Sequence, residues 1–110
     1  MFKKSERLTQ SEFSEYFRIG KKHHFPALTI ITHPISARKV AVVVGKKVAK
    51  SAVRRNALKR RVFASLRDVL MAGDHKGVLI VILKNPFNSL ARKTADDLLR
   101  ESIAQVVKNA

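Results

Sequence analysis

Nine of the chain's 23 lysines and arginines fall between Gly45 and Arg67, in GKKVAKSAVRRNALKRRVFASLR, with no carboxylate until Asp68. The cations are Lys46, Lys47, Lys50, Arg54, Arg55, Lys59, Arg60, Arg61 and Arg67. Like charges this dense repel one another in a compact state, and a polyanionic partner is the simplest reason to keep them. Guanidinium forks bridge phosphate oxygens bidentately, which suits structured nucleic acid. Asn56, a neutral donor and acceptor among them, can read a base edge or a 2′-hydroxyl. The bland reading is a solvated helix face. Against it, the interval between Glu15 and Asp68 carries fourteen cations and no acid, which makes the middle of the chain its electrostatic footprint.

Other chemistry is poorly represented. With no cysteine, disulfides, thiolate catalysis and cysteine-ligated metals are excluded. His23, His24, His33 and His75 lack metal-ligand spacing. Gly45-Lys46 lacks the preceding glycine and following Ser/Thr of a phosphate-binding loop. Asp96 and Asp97 suit the start of a helix, where the dipole favours acids. No acid, base or metal constellation able to cleave RNA alone is visible. MFKKSERLTQ has no apolar core of a signal peptide, and the apolar run Val78 to Leu83 is too short to span a bilayer. A soluble, unprocessed, cytoplasmic protein is expected.

The elements that must position the basic residues follow from periodicity. At 110 residues, 45% hydrophobic and 28% charged with a net charge of +15, the chain is expected to form one globular domain, residues 1–110. Advancing about 100° per residue, Val53, Leu58, Val62, Leu66, Val69 and Leu70 share an arc of roughly 120°, a core face. Arg54, Arg60, Arg61 and Arg67 share an opposed arc with small Ala57 and Ala64 between them, a solvated basic face. Arg55 and Lys59 land at the edge of the apolar arc. Ser51 can cap this helix and Gly73 can end it.

Upstream, residues 1–7 read as a loose arm in which Lys3, Lys4 and Arg7 can touch RNA. Thr9 and Glu12 form a capping box, Leu8 and Phe13 a hydrophobic staple, and a helix is predicted from Gln10 to Ile19 with Gly20 in a left-handed turn. Phe13 and Phe17 are i, i+4 neighbours flanked by Tyr16. Lys21 to Phe25 reads as a basic loop, residues 27–33 as a strand, and Arg38 to Gly45 as a second strand. In that second strand Val40, Val42 and Val44 face one way and Ala41 and Val43 the other. Lys46 to Lys50 can extend as a short further strand. Gly77 to Leu83, continuously apolar, is predicted to be a central buried strand ended by Asn85-Pro86. Thr94, Asp96 and Asp97 start a last helix with Leu98, Leu99, Ile103, Val106 and Val107 as its core face. The order αββ(β)αβα implies an α+β two-layer sandwich, one sheet with helices packed on it.

The spaced set Lys46, Lys47, Ala52-Val53, Arg55-Asn56 and Leu58-Lys59-Arg60 resembles the signature of the bacterial ribonuclease P protein component, whose hallmark is an Arg-Asn-Arg helix. Length and element order also agree, so the resemblance covers essentially the whole chain. Ala57 replaces the third hallmark arginine, and Phe63-Ala64 stands where the family usually has Arg-Glu. Arg54 and Arg61, three before and four after Ala57, are expected to take over its phosphate contact. The resemblance implies a mixed sheet with a left-handed βαβ crossover through the basic helix, similar to the second domain of ribosomal protein S5. Generic rules would give the opposite hand. It also implies a role as protein subunit of a tRNA-processing endonuclease. The catalytic RNA, with magnesium, removes the 5′ leader of precursor tRNA, while the protein binds that RNA and the leader. The RNA-binding set is then Lys46, Lys47, Lys50, Arg54, Arg55, Asn56, Lys59, Arg60 and Arg61. The leader cleft maps to Phe13, Phe17, Ile31, Val43, Lys46, Arg55 and Asn56. No cofactor bound by the protein alone, no membrane and no obligate protein partner are expected. A structural ribosomal RNA-binding protein is the alternative. A helix-turn-helix DNA binder is disfavoured, because no short helix closely precedes the basic one.

Overall fold

The computed structural model describes residues 4–73 and 75–109. Lys3 of the expected arm and Asp74 lie outside the described residues. The elements are α1 (Gln10–Ile19), β1 (Lys21–His24), β2 (Leu28–His33), β3 (Arg38–Val43), α2 (Ala52–Gly73), β4 (Gly77–Leu83), α3 (Asn85–Ser89) and α4 (Arg92–Asn109). One mixed sheet has the order β1-β2-β4-β3. β2 runs antiparallel to β1 and β4, whereas β3 and β4 are parallel neighbours joined through α2.

β4 shows how one apolar run serves two layers. Its side chains alternate across the sheet. Leu79, Val81 and Leu83 meet Leu58, Val62, Leu66 and Leu70 of α2 and Leu99, Ile103 and Val106 of α4 in the main core. Val78 and Ile80 face the other way, with Ile31, and are covered by Leu8, Phe13 and Tyr16. The sheet is therefore covered on both faces, with α1 opposite α2 and α4. Each fully buried Leu, Ile or Val contributes roughly 1.5–3 kcal/mol relative to exposure.

The ends of α1 are set locally. Thr9 Oγ1 accepts from the Glu12 amide at 3.2 Å and Glu12 Oε1 accepts from the Thr9 amide at 3.0 Å, completing the capping box. Glu12 Oε2 also accepts from Lys39 Nζ at 2.9 Å, pinning α1 to β3. Gly20 is not left-handed; its φ is −69° and ψ 156°. Glycine stands there because of close approach: an added Cβ would meet Ile31 Cγ2 and lie 2.6 Å from the Tyr16 carbonyl oxygen.

Other expectations shift. Lys4–Glu6 form a 3-10 turn and Arg7 bridges to Val40, so this part of the arm is docked along β3. Arg38 holds it there, its Nη1 donating to Glu6 Oε2 at 3.2 Å. Lys21–His24 is a strand rather than a loop, paired from Lys21↔Thr32 to His24↔Thr29; polar side chains suit an exposed edge. The extra strand thus precedes β2, and Lys46 to Lys50 is no strand. There the Val48 and Ala49 amides both donate to the Gly45 carbonyl, because Val48 and Ala49 turn into the core. Phe87, buried on the short α3, was not anticipated. α4 starts at Arg92, so Asp96 and Asp97 lie beyond its first turn.

Candidate nucleic-acid interface

α2 begins where Ser51 Oγ accepts from the Arg54 amide at 3.4 Å. Its core face is Leu58, Val62, Leu66 and Leu70, all fully buried. Val53, expected on that face, is instead 77% exposed in the helix's first turn. Arg55 lies at the apolar edge as its spacing predicts. Its Nη1 donates to the carbonyls of Ala49 at 3.0 Å and Lys50 at 2.7 Å. This ties the turn that carries Lys46, Lys47 and Lys50 to the start of the helix. Lys46, Lys47, Lys50, Arg54, Asn56 and Arg60 are exposed, while Arg55, Lys59 and Arg61 are half-buried.

The opposed face is not uniformly solvated. α3 and α4 dock along it, leaving a groove of ≈ 470 Å³ lined by Arg54, Ala57, Arg60, Arg61 and Ala64 on one side and Leu90 and Arg92 on the other. Arg61 is the exception to the predicted basic surface. Its Nη2 donates to Asp96 Oδ1 at 2.9 Å and to the Arg92 carbonyl at 3.3 Å. Asp96 therefore acts as the partner that seats α4 on α2. Arg54 donates through Nε and Nη2 to Asn88 Oδ1 at 3.3 and 3.2 Å. Both arginines expected to replace a residue at Ala57 are thus engaged, Arg61 by an acid. Arg92, which sequence spacing could not place in this groove, contributes a cation from α4.

On the opposite face of the sheet α1 covers the cross-strand row Ile31, Ile80 and Ala41. Ile31, which the resemblance maps to the leader cleft, is fully buried there beneath α1. The next row, Val43, Ile82, Thr29 and His24, lies toward the start of α2, with Val43 and Ile82 half-buried and His24 exposed. Ile82 and His24 enter this surface only through the register. Phe13 and Phe17 stack at 5.8 Å between centroids, Phe17 being 43% exposed. Lys22 Nζ lies 5.1 Å from the Phe17 centroid. No group of three or more His, Cys, Asp or Glu among the described residues is placed to hold a metal.

The family model described as Ribonuclease P matches residues 2–109. The ribonuclease P protein component of Microcystis aeruginosa is 31% identical over 80 residues, 66% of this chain and 67% of that protein. The solved ribonuclease P protein of Staphylococcus aureus superposes with a TM-score of 0.70 at 19% identity, over 96% of this chain and 94% of the other. A mutant of that protein with defective mRNA degradation activity gives 0.75 at 19% identity, over 96% and 90%. Sequence family and fold agree with the hallmark Arg55-Asn56 pair at the start of a basic helix, and the chain belongs to the ribonuclease P protein component family.

Proposed function

We propose that the surface running from Lys46 through Arg60 binds the catalytic RNA of ribonuclease P in the cytoplasm. The adjoining open row of Val43, Ile82 and His24, with Phe17 at its far side, receives the single-stranded 5′ leader of precursor tRNA. Family membership favours this over the ribosomal alternative. The observation that carries the RNA surface is the Arg55 clamp on the carbonyls of Ala49 and Lys50. It rigidifies a turn bearing three exposed lysines and lowers the entropy lost when they meet phosphates. Exposed Phe17 offers a stacking face, and base stacking on an aromatic is worth about 1–3 kcal/mol. Magnesium enters with the RNA, where the hydrolysis takes place; the protein's cations reduce repulsion between two polyanions.

Reconstitution with the cognate catalytic RNA and a precursor tRNA tests the reading. Cleavage at the mature 5′ end is expected with both subunits, with tighter binding of leader-bearing substrate than of mature tRNA. Equal affinity for the two substrates would remove the leader from the model. Leader cleavage by nuclease-treated protein alone would overturn the assignment of chemistry to RNA.

A further inference from the structure

A second cleft, of ≈ 510 Å³, opens where β1 begins, β2 ends and β4 begins. Because β3 and β4 are parallel and α2 leaves from the end of β3, this is the opposite end of the sheet from Arg55 and Asn56. Its lining includes Lys21 and His23 from β1, His33 from β2, and His75 and Lys76 from the segment before β4. Ile19 and Ile35 form apolar walls, and among the described residues none that lines the cleft is a carboxylate. The nearby acid Glu6 is paired with Arg38, which in turn donates through Nε to the His75 carbonyl at 2.9 Å.

We propose that this cleft is a second RNA site, holding one backbone phosphate between Lys21, Lys76 and the histidines, with its nucleoside against Ile19 and Ile35. The volume falls within the ~300–1,000 Å³ of ordinary ligand pockets, more than a bare phosphate needs. The ring of His23 shares a 3.1 Å hydrogen bond with Thr32 Oγ1, and that of His33 tilts against Tyr16 at 5.4 Å, so both rings are oriented without a ligand. Burial lowers the pKa of His23 and of His75, with Lys21 and Arg38 adding to it respectively. Both therefore favour the neutral form when the cleft is empty. A phosphate among them favours the imidazolium, so binding takes up protons and strengthens as pH falls through the histidine range. Among the described residues, the charged and titratable groups around the rings are Lys21, Lys76, Arg38 and Tyr16, with Glu6 behind Arg38.

The partner's identity rests on the RNA-binding reading, and the test separates the two. Ring-nitrogen NMR of the full chain is followed while a short single-stranded oligouridylate is added at about pH 6. The rings of His23 and His75 should shift toward imidazolium, their titration midpoints moving up. Lys21→Ala with Lys76→Ala, both at exposed positions, should weaken RNA binding several-fold and flatten its pH dependence. Rings that stay unmoved while backbone signals of Lys59 and Arg60 respond would refute the cleft and leave the α2 surface standing. No response at either place would refute both. If inorganic phosphate moves the rings but the double variant binds RNA like the wild type, the cleft holds an adventitious ion only and the proposal fails.

Discussion

Arg60 and Arg61 are adjacent arginines that the structure gives different work, and substitution separates them. Arg61 is tied to Asp96 at 2.9 Å, with side-chain exposures of 16% and 37%, and to the Arg92 carbonyl. A hydrogen bond to a charged group contributes about 1.5–3 kcal/mol when buried; an exposed pair contributes about 0–1 kcal/mol. With Asp96 one-third exposed and Arg61 Nε buried without a partner, Arg61→Ala should cost about 1–2 kcal/mol. At 4–8 °C per kcal/mol this lowers Tm by roughly 5–15 °C. Arg60 is exposed, so Arg60→Ala should leave Tm nearly unchanged. The RNA readout reverses the order. Loss of one phosphate contact reduces the slope of log affinity against log salt by about 0.7–0.9. Arg60→Ala should show that loss, and Arg61→Ala less than half of it. Ala57→Arg, entering the groove beside Arg60, should add about one contact. The assays are thermal melting and filter binding to the catalytic RNA at several salt concentrations. Equal slopes for wild type and Arg60→Ala, with a full-unit loss for Arg61→Ala, would show that Arg61 leaves Asp96 to meet RNA.

Phe17→Ala should weaken leader-bearing substrate by about 1 kcal/mol or more with mature tRNA little affected, whereas Ile31→Ala should cost about 2–4 kcal/mol of stability and affect both ligands alike; equilibrium binding and denaturant melts distinguish them. Gly20→Ala should destabilise despite an ordinary φ, because its Cβ would meet the Tyr16 carbonyl and Ile31; an unchanged Tm would disprove the crowding. In the free protein, His23 and His75 have pKa values below the ordinary 6.5. Glu12 lies below 4.5, chiefly through the Thr9 amide and then Lys39. In each case the unfolded chain binds more protons, so the contribution is complete above the unfolded value and is lost as pH falls through the folded one. Tm should decline first below about pH 6.5 and again below about pH 4.5. A Tm that rises between pH 7 and 5 would contradict the histidine directions.

Elements with a strong local signal were legible. The capping box at Thr9 and Glu12, the apolar run of β4 and the four-residue rhythm of Leu58, Val62, Leu66 and Leu70 each announce their conformation within a few residues. β1 was not, because KKHH has neither alternation nor an apolar face; it becomes a strand by pairing with β2 across the turn at Phe25 to Ala27. The basic surface was legible as charge but not as availability. Whether an arginine is exposed depends on what lies across from it, and Asp96 meets Arg61 over 35 positions. The burial of Ile31 was not legible for a similar reason. Its β-branched type marks a strand, yet the docking of α1 at Gly20 decides that it is covered while Val43 and Ile82, one row on, remain half-open.

The acids explain why the charge remains focused. Glu6, Glu12, Asp68 and Asp96 pair with Arg38, Lys39, Arg100 and Arg61, every pair joining segments at least 27 positions apart. Two fasten the N-terminal segment to β3, and two fasten α4 to α2. Cations that hold the fold are thereby neutralised, whereas Lys46, Lys47, Lys50 and Arg60 have no carboxylate partner among the described residues. Carboxylates beside those four would blunt their attraction for phosphate, since a nearby opposite charge satisfies a cation as a phosphate would. The same division accounts for Arg55. It is held by backbone carbonyls rather than by an acid, so it organises the turn while its positive charge still adds to the field that meets RNA.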